Sequence, residues 1–511
     1  MNETINALSL EGAAKHTQKR KLPEESMGRY RTFLALTMGF CFLLVDGFFW
    51  NGPSAGLTAA VFAWYALVLA WIGWGAAARR SGRVLWLSNL FLAATMALGS
   101  NWYFRVWNLL ALAVLIPVHM MAASAGRPWW DPWMVGERYR LLLQGLFGNL
   151  WAAFAAAVPG KPAEGKERRT MSVVLGLCGA VALVSVLLPV LVSADALFSA
   201  SLEKLNESVR LLHFSDALQR LFWALVLTPF VFGLLYGMAH PRLLCPAAEK
   251  KSLRMDPLGF VLALAAVDGL YLAFLAVQSA GLFGGPEYLA GRGISYAEWA
   301  RSGFFQMVGV TVVNLSLMLA ALCLSQREGR DWTVLQALCA ALAGESLVLL
   351  GSAAWRMTLY VSAYGLSFKR CMTYWGMGMM ALFLLAGLQK ARRPDFRFCR
   401  WAFPLALAGW LAINCVPVDY LVARNQVDRY LSGESANVSV LYLAEGLSFD
   451  TLSQLERLDG ERRISDYDGS RQGGAKNLTL AELLEQRRIA AGHQCTNWRT
   501  WSLSACLAAG R

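Results

Sequence analysis

Three polar side chains stand in the middle of consecutive apolar stretches of the sequence: Asp268, Asn314 and Glu345. If these stretches are membrane-crossing helices, Asp268 lies roughly 15 Å and Glu345 roughly 20 Å from the inner edge, with Asn314 near mid-depth. An ionisable residue at that depth is costly, so it needs a partner, a proton or a water-filled cavity. The trio predicts a proton or cation relay, the floor of a solute cavity, or an internal hydrogen-bonded cluster in which both acids are protonated, since burial raises the pKa of a carboxyl group. The sequence leaves these alternatives open.

A second group of candidate residues lies at a predicted outer membrane edge, in 291-GRGISYAEWARSGFFQMVG-309. Glu298 follows Ser295 at the S-x-x-E spacing of a capping box, in which each side chain satisfies a backbone donor at a helix start. Tyr296 suits the aromatic belt at the headgroup level. Arg301 either pairs with Glu298, extends to the interface or binds an anionic headgroup.

A third group follows Glu345 along the chain. Arg356, Tyr360 and Tyr364 recur every four residues, so they share one stripe of a helix. If that helix is unbroken, Glu345 lies three turns before Arg356 on nearly the same face. The stripe is either a functional face or an interfacial belt of aromatic and basic residues.

The sequence contains no phosphate-binding loop, paired-cysteine motif, zinc-binding helix, nucleophile elbow or dinucleotide turn. We therefore predict no cofactor, no metal site and no catalytic residue. An enzyme that acts on a lipid-linked substrate through Glu298, Arg301 and Arg356 is a weaker hypothesis. Of the ten cysteines, only Cys495 and Cys506 lie in the C-terminal tail, where an outer membrane face would allow them to be oxidised. A reduced, solvated pair is the alternative.

The elements that position these residues follow from composition. Of 511 residues, 56% are hydrophobic and 16% charged, against about 25% charged in soluble domains. Apolar stretches of about 18 residues or more are long enough to cross a bilayer. The sequence therefore predicts an all-α, polytopic membrane helix bundle with about eleven transmembrane helices. Gly365 and Ser367 predict a helix end and the next helix start after the ninth of them. The eleven segments are 32–50, 57–76, 84–100, 106–125, 170–194, 219–239, 257–281, 303–324, 332–353, 371–389 and 401–417.

The positions of Lys and Arg predict the orientation. With the N-terminus inside, the inner segments carry 27 basic residues and the outer loops carry 8, and cytoplasmic loops hold such an excess. The net charge of +13 does not indicate nucleic-acid binding, because the basic residues lie in short loops between apolar segments. The predicted domains are a disordered cytoplasmic tail (1–30), a transmembrane domain (31–417) and a small helical extracytoplasmic tail (418–511).

One connection decides the side on which the tail lies. Residues 126–169 are predicted to be cytoplasmic, with an interfacial helix near 135–158, since this segment mixes Trp with a moderately apolar run. If 135–158 crossed the membrane, the tail would move to the inside.

Four motifs follow one another between residues 193 and 458: SADALFS, ISYAEWARSGFFQM, RMTLYVSAYGLSFKR and VDYLVARNQVDRYLSG…LYLAEGLSFDTL. Together they resemble the bacterial polytopic membrane family known only as domain of unknown function 4153/4173. The resemblance implies a multi-pass protein of the bacterial cytoplasmic (inner) membrane, and it implies no activity. Trp299, Ser302 and Ser367 depart from the family pattern, which puts only local contacts in doubt.

Three classes of function follow. The favoured hypothesis is a non-enzymatic scaffold or sensor that binds an envelope protein or a lipid headgroup through its outer loops and tail, because the recognisable motifs lie there. The second is an ion- or proton-coupled transporter that uses the intramembrane carboxylates, although no internal repeat supports it. The third is the membrane enzyme described above. The predicted partners are thus the lipid bilayer and an envelope protein or headgroup, and not nucleic acid.

Overall fold

The computed structural model of the protein describes residues 27–73, 80–125, 142–157, 215–240, 255–283, 304–462, 464 and 478–510. This part of the chain is helical and contains no strand, apart from one isolated bridge between Met255 and Ser325. The bundle helices are α1 (Met27–Leu44, continued by the π-helical turn Val45–Phe49), α2 (Ala55–Ile72), α3 (Arg80–Leu98), α4 (Trp102–Ala125), α5 (Leu142–Ala157), α6 (Ser215–Ala239), α7 (Pro257–Phe283), α8 (Phe304–Leu324), α9 (Gly329–Tyr364), α10 (Phe368–Arg392) and α11 (Phe398–Asn414). The tail helices are α12 (Val418–Leu431), α13 (Val440–Glu445), a 3-10 turn (Phe449–Thr451) with α14 (Leu452–Leu455), α15 (Leu480–Thr496) and α16 (Leu503–Ala508).

Seven of the described helices are long and apolar enough to cross a membrane, or eight if the bent pair α11 and α12 forms one broken span. Shorter apolar helices cover 82–98, 142–157 and 308–324. Ten of the eleven predicted segments coincide with described helices, and the segment 170–194 lies outside the described residues. The polytopic helical bundle is therefore confirmed, whereas the count of eleven spans is not.

Helices α1 to α6 share one hydrophobic core, and we call these six helices the N-terminal half. At the end where α1 begins, the Tyr30 ring lies 5.8 Å from Trp71 and 6.0 Å from Tyr236, measured between centroids. We call this the inner end. The described part of α1 extends to Met27, five residues before the predicted span 32–50, and Tyr30 is buried in this added turn. Residues 1–26 lie outside the described residues.

At the opposite, outer end of this half, the backbones of α1 and α2 touch. A Cβ atom placed on Gly56 would lie 2.3 Å from the carbonyl oxygen of Gly47, and one on Gly47 would lie 2.8 Å from that of Gly56. No side chain fits between backbones at that distance, so only glycine permits the contact. The two residues therefore fix how the first two helices meet.

Helices α7 to α10 form the C-terminal half, and α7 lies at the periphery of this half. Leu262, Leu270 and Val277 are 65%, 66% and 76% exposed, whereas Leu264 is fully buried. In a bilayer these three exposed side chains face lipid, which costs little because lipid tails are as apolar as the side chains. Asp268 follows Leu264 by four residues, so it lies on the face that packs against the bundle.

Helix α11 joins the two halves through side-chain hydrogen bonds. Trp410 Nε1 donates to Asn108 Oδ1 of α4 at 2.7 Å, and Asn108 Nδ2 donates to Asn414 Oδ1 at 2.7 Å. On the other side, Trp375 Nε1 of α10 donates to Gly409 O at 3.0 Å. The halves are thus connected by polar contacts inside a mainly apolar bundle.

The tail forms its own helical core at the outer end. Val422, Leu443, Leu455 and Leu480 are buried together in this core. The tail contacts the bundle at Ser54 and at the α3–α4 turn, which lie at the end remote from Met27. The first described residue and the tail are therefore at opposite ends of the bundle.

Helix α5 packs across the part of α6 nearest the inner end. A Cβ atom on Gly233 would lie 3.1 Å from the backbone of Asn149, and the Trp151 ring lies 5.4 Å from that of Tyr236. This position near the inner end is compatible with the cytoplasmic connection that the sequence predicts. The interfacial placement of 135–158 stays a prediction.

Candidate functional site

The predicted intramembrane residues lie on three neighbouring helices of the C-terminal half. The Tyr271 hydroxyl of α7 donates to Asn314 Oδ1 of α8 at 2.8 Å, and Asn314 Nδ2 donates to Ser346 Oγ of α9 at 2.9 Å. One amide thus joins three helices, as interhelical hydrogen bonds do in membrane bundles. Tyr271 and Ser346 are not singled out by the sequence, because uncharged polar residues are common in such helices. Their only signal is proximity along the chain, since Tyr271 follows Asp268 by three residues and Ser346 directly follows Glu345.

Asp268 and Glu345 are buried beside this chain of hydrogen bonds, with 5% and 8% of their surface exposed. Among the described residues, neither oxygen of Asp268 has a hydrogen-bond partner, and Glu345 Oε2 also lacks one. The two carboxyl groups are close enough to interact electrostatically. Because an unpaired carboxylate in an apolar interior is costly, a proton or a cation would stabilise the site. We call Asp268, Tyr271, Asn314, Glu345 and Ser346 the intramembrane polar cluster.

The stripe of Arg356, Tyr360 and Tyr364 lies at the outer end of α9, which is unbroken. Arg356 is buried, Tyr360 is half-buried and Tyr364 is exposed. The two tyrosine rings are 4.9 Å apart, and the Arg370 guanidinium lies 4.3 Å from the Tyr360 centroid. Arg370 also donates to Tyr364 O at 3.1 Å. The tyrosines therefore support the α9–α10 turn through an arginine that was not predicted.

That turn is held by helix α12 of the tail. Gly365 has a φ of +74° and ends α9, and the Ser367 side chain caps α10, as the sequence predicts. Asn425 Oδ1 accepts from Leu366 N at 2.8 Å, and Gln426 Nε2 donates to Leu366 O at 2.6 Å. The motifs RMTLYVSAYGLSFKR and VDYLVARNQVDRYLSG thus contact each other in the fold.

Two further predicted groups have different outcomes. Tyr296, Glu298 and Arg301 lie outside the described residues, so their roles stay predictions. Cys495 and Cys506, for which the sequence left both redox states open, form a disulfide in the structure, with Cα atoms 5.2 Å apart. This bond joins the end of α15 to α16.

An aspartate at the end of α1 anchors the tail to the outer end of the bundle. Asp46 accepts from Arg499 Nε of the tail at 2.9 Å and forms an ion pair with Arg220 of α6. The carbonyl of Arg499 accepts from Ser54 Oγ at 2.7 Å and from Gly56 N at 2.9 Å. One tail residue therefore contacts two helices of the bundle directly and a third through Asp46.

The α3–α4 turn forms a second anchor. Asn101 Nδ2 donates to Asp419 Oδ2 at 2.7 Å, and the same oxygen accepts from Ser448 N at 3.0 Å. The neighbouring Ser100 Oγ lies 3.0 Å from Ser504 Oγ. Buried polar groups with such partners specify one docking position for the tail.

A cavity of about 360 Å³ lies between this turn and the tail. Its walls are residues 100–103, residues 445–449, Phe368, Arg487 and Gln494, and we call it the outer pocket. The segment 445–449 belongs to the tail motif LYLAEGLSFDTL. The volume of the outer pocket falls in the lower part of the range of about 300 to 1,000 Å³ that is typical of small-molecule sites.

The outer pocket combines aromatic walls with polar groups of both signs. The Arg487 guanidinium lies 4.5 Å from the Phe449 ring centroid, and burial lowers the pKa of Arg487, although the nearby Glu445 opposes this shift. Arg487 Nε and Gln494 Oε1 are buried and have no hydrogen-bond partner among the described residues. One donor and one acceptor at this pocket are thus not committed to the fold. Trp102, at the start of α4, is 66% exposed.

Long apolar helices packed into a bundle, with a polar helical tail docked on one end, define a multi-pass membrane protein. A family described as a domain of unknown function, DUF4153, matches residues 86–458. The match covers more than half of the chain, so this protein belongs to that family, as its motifs indicated. No curated protein and no solved structure matches the chain.

Proposed function

We propose that this protein is a scaffold or sensor of the bacterial cytoplasmic membrane that binds an envelope component through the outer pocket. The observation that carries the proposal is the pocket itself, which is built where the docked tail meets the α3–α4 turn. Aromatic walls with a few polar groups are typical of recognition sites. The tail is held by an ion pair and several hydrogen bonds, so the pocket walls are positioned before any ligand arrives.

The proposed orientation places the N-terminus in the cytoplasm and the tail outside. Three observations support it: the excess of Lys and Arg in the inner segments, the position of the tail at the end remote from Met27, and the disulfide, which is typical of an oxidising compartment. Alkaline phosphatase fused after the tail should be active, and a fluorescent protein fused there should remain dark. The reverse pattern would place the tail in the cytoplasm.

Photocrosslinking in intact cells tests the binding site. A photoreactive amino acid replaces Trp102 at the outer pocket or, as the matched control, Trp401 at the start of α11. Both indoles are well exposed, at 66% and 61%, but they lie at opposite ends of the bundle. We expect an adduct with an envelope protein or a lipid at position 102 and not at 401. Equal adducts at both positions, or none at 102, would contradict the proposal.

Ion- or proton-coupled transport is a second candidate, favoured by both carboxyl oxygens of Asp268 and by Glu345 Oε2, which have no hydrogen-bond partner in the part of the chain that the structure describes. In proteoliposomes that contain a pH-sensitive dye, an imposed cation gradient should move protons with the wild type and not with Asp268→Asn or Glu345→Gln. Asp256→Asn is the matched control, because Asp256 is exposed and immediately precedes α7, outside the intramembrane polar cluster. Proton movement that is equal in all four proteins would exclude a role for the cluster.

A further inference from the structure

The geometry points to a ligand for the outer pocket: the headgroup of an aminophospholipid, which carries a phosphate and an ammonium group on adjacent carbons of one short chain. This inference rests on the proposed function and names the chemical class of the ligand. It depends on three features of the pocket, which are its cation, its acceptors and its position at the membrane edge.

Arg487 supplies the site for the phosphate. Its guanidinium lies over the Phe449 ring and lines the pocket. Its Nε has no hydrogen-bond partner among the described residues. Guanidinium groups bind phosphate oxygens through two parallel, charge-assisted hydrogen bonds. The next residue, Arg488, forms an ion pair with Glu456 at 2.6 Å instead. Of these adjacent arginines, only Arg487 faces the pocket.

Glu445 and Gln494 supply the site for the ammonium group. The Glu445 carboxylate lines the same pocket as Arg487 and interacts with it electrostatically. Gln494 Oε1 is an acceptor without a partner among the described residues. A purely anionic ligand would meet the Glu445 charge at short range, whereas a zwitterion matches both charges of the pocket.

The position of the pocket indicates a lipid rather than a soluble zwitterion. Trp102 and Tyr103 line the pocket and begin α4, and such aromatic residues sit at the headgroup level. From Tyr103 an exposed apolar stripe continues down the same helix face through Trp107, Leu110 and Val114, at spacings of four, three and four residues. A headgroup in the pocket would therefore leave its acyl chains along this stripe.

Native mass spectrometry of the full-length protein in detergent tests the inference with three lipids. Phosphatidylethanolamine has both groups, phosphatidylglycerol lacks the ammonium, and phosphatidylcholine has a quaternary ammonium without N–H donors. We expect phosphatidylethanolamine to bind about tenfold more tightly than either of the others, because neither of them presents ammonium N–H donors to Glu445 and Gln494. Phosphatidylglycerol that binds as tightly as phosphatidylethanolamine would overturn the zwitterion assignment.

Matched variants then locate the site. Arg487→Gln and Glu445→Gln should each weaken phosphatidylethanolamine binding about tenfold, while Arg488→Gln and Glu485→Gln on the exposed face of α15 should change it less than twofold. Thermal unfolding and the mass of the intact disulfide show whether each variant is folded. If folded Arg487→Gln and Glu445→Gln bind like the wild type, the lipid lies elsewhere and the inference is wrong.

A soluble competitor separates the two sources of this chemistry. O-phosphoethanolamine that binds as tightly as the lipid would overturn the lipid assignment, because the stripe on α4 would then contribute nothing. The proposed function can fail separately: a position-102 adduct with a protein, combined with no lipid preference, would overturn the lipid inference and leave the scaffold proposal intact.

Discussion

Asp46 and Asp268 are both buried carboxyl groups, one at the outer end of the bundle and one inside the membrane-spanning part. Their exposed fractions are nearly equal, at 6% and 5%. Asp46 has two arginine partners, Arg499 of the tail and Arg220 of α6. Asp268 has no hydrogen-bond partner among the described residues. Equal burial thus accompanies opposite electrostatic surroundings.

The difference separates an acid that holds the fold from one that the fold tolerates. Removing Asp46 leaves Arg499 and Arg220 without their shared carboxylate, so the tail should lose one of its two anchors. Neutralising Asp268 removes a desolvated charge without stranding a partner, so stability should not suffer. A residue that is kept against its own desolvation cost is a candidate for function. Stability measurements on matched variants therefore test the assignment of each acid.

The largest effect is expected from Asp46→Ala, which should lower the free energy of unfolding by about 3 kcal/mol. That figure is the lower end of the range for broken buried ion pairs, since the arginines are partly in water. Asp428→Ala is the control, because Asp428 also has two arginine partners, Arg424 and Arg457, but is 45% exposed. It should cost less than about 1 kcal/mol. Unfolding in mixed micelles measures both, and equal losses would break the comparison.

The second effect concerns the backbone contact beneath Asp46. Gly56→Ala places a methyl group 2.3 Å from the carbonyl oxygen of Gly47, so α1 and α2 must separate, at about 1 to 3 kcal/mol. Gly39→Ala is the control on α1, because nothing lies within 4 Å of its Cβ position. That change should be neutral or stabilising, since alanine is the better helix former. A tail that stays protease-resistant in Gly56→Ala would show that the crossing does not support the anchor.

A region can be predicted from the sequence when its signal lies within one segment of the chain, and not when it depends on contacts between distant segments. The helical bundle and the polar residues Asp268, Asn314 and Glu345 inside it could be predicted because an apolar run, and a polar residue within that run, are visible within one segment. Gly365 and Ser367 were likewise placed by local cap chemistry. Each of these predictions needs only neighbouring residues, so no knowledge of the fold was required.

The outer anchor and the outer pocket depend on contacts between distant segments. Asp46 and Arg499 are 453 residues apart, and Asn101 and Asp419 are 318 apart. Nothing in the sequence around Arg499 indicates that its partner is Asp46, because an arginine in a polar segment is expected to be solvated. The pocket could not be predicted because four segments of the chain build its walls.

A smaller effect is expected within the intramembrane polar cluster. Asn314→Ala removes the hydrogen bonds from Tyr271 and to Ser346, at a cost of about 1 kcal/mol, since such bonds in membrane bundles average about 0.6 kcal/mol. Ser316→Ala on the same helix should cost almost nothing, because its hydroxyl bonds only to Val312 O of its own helix. The same micelle unfolding assay compares them. A loss above about 3 kcal/mol for Asn314→Ala would mean that the cluster is a structural core.

The smallest change, and the sharpest comparison, is the same isosteric substitution at both acids. Asp268→Asn should leave the free energy of unfolding unchanged or slightly higher, because an amide is easier to bury than an unpaired carboxylate. Asp46→Asn should be destabilising, since the amide leaves Arg499 and Arg220 without a charge partner. The atoms exchanged are identical, so the difference between the two free energies reports only the surroundings. If Asp268→Asn is as destabilising as Asp46→Asn, then Asp268 has a charged partner in the membrane and its role is to hold the fold.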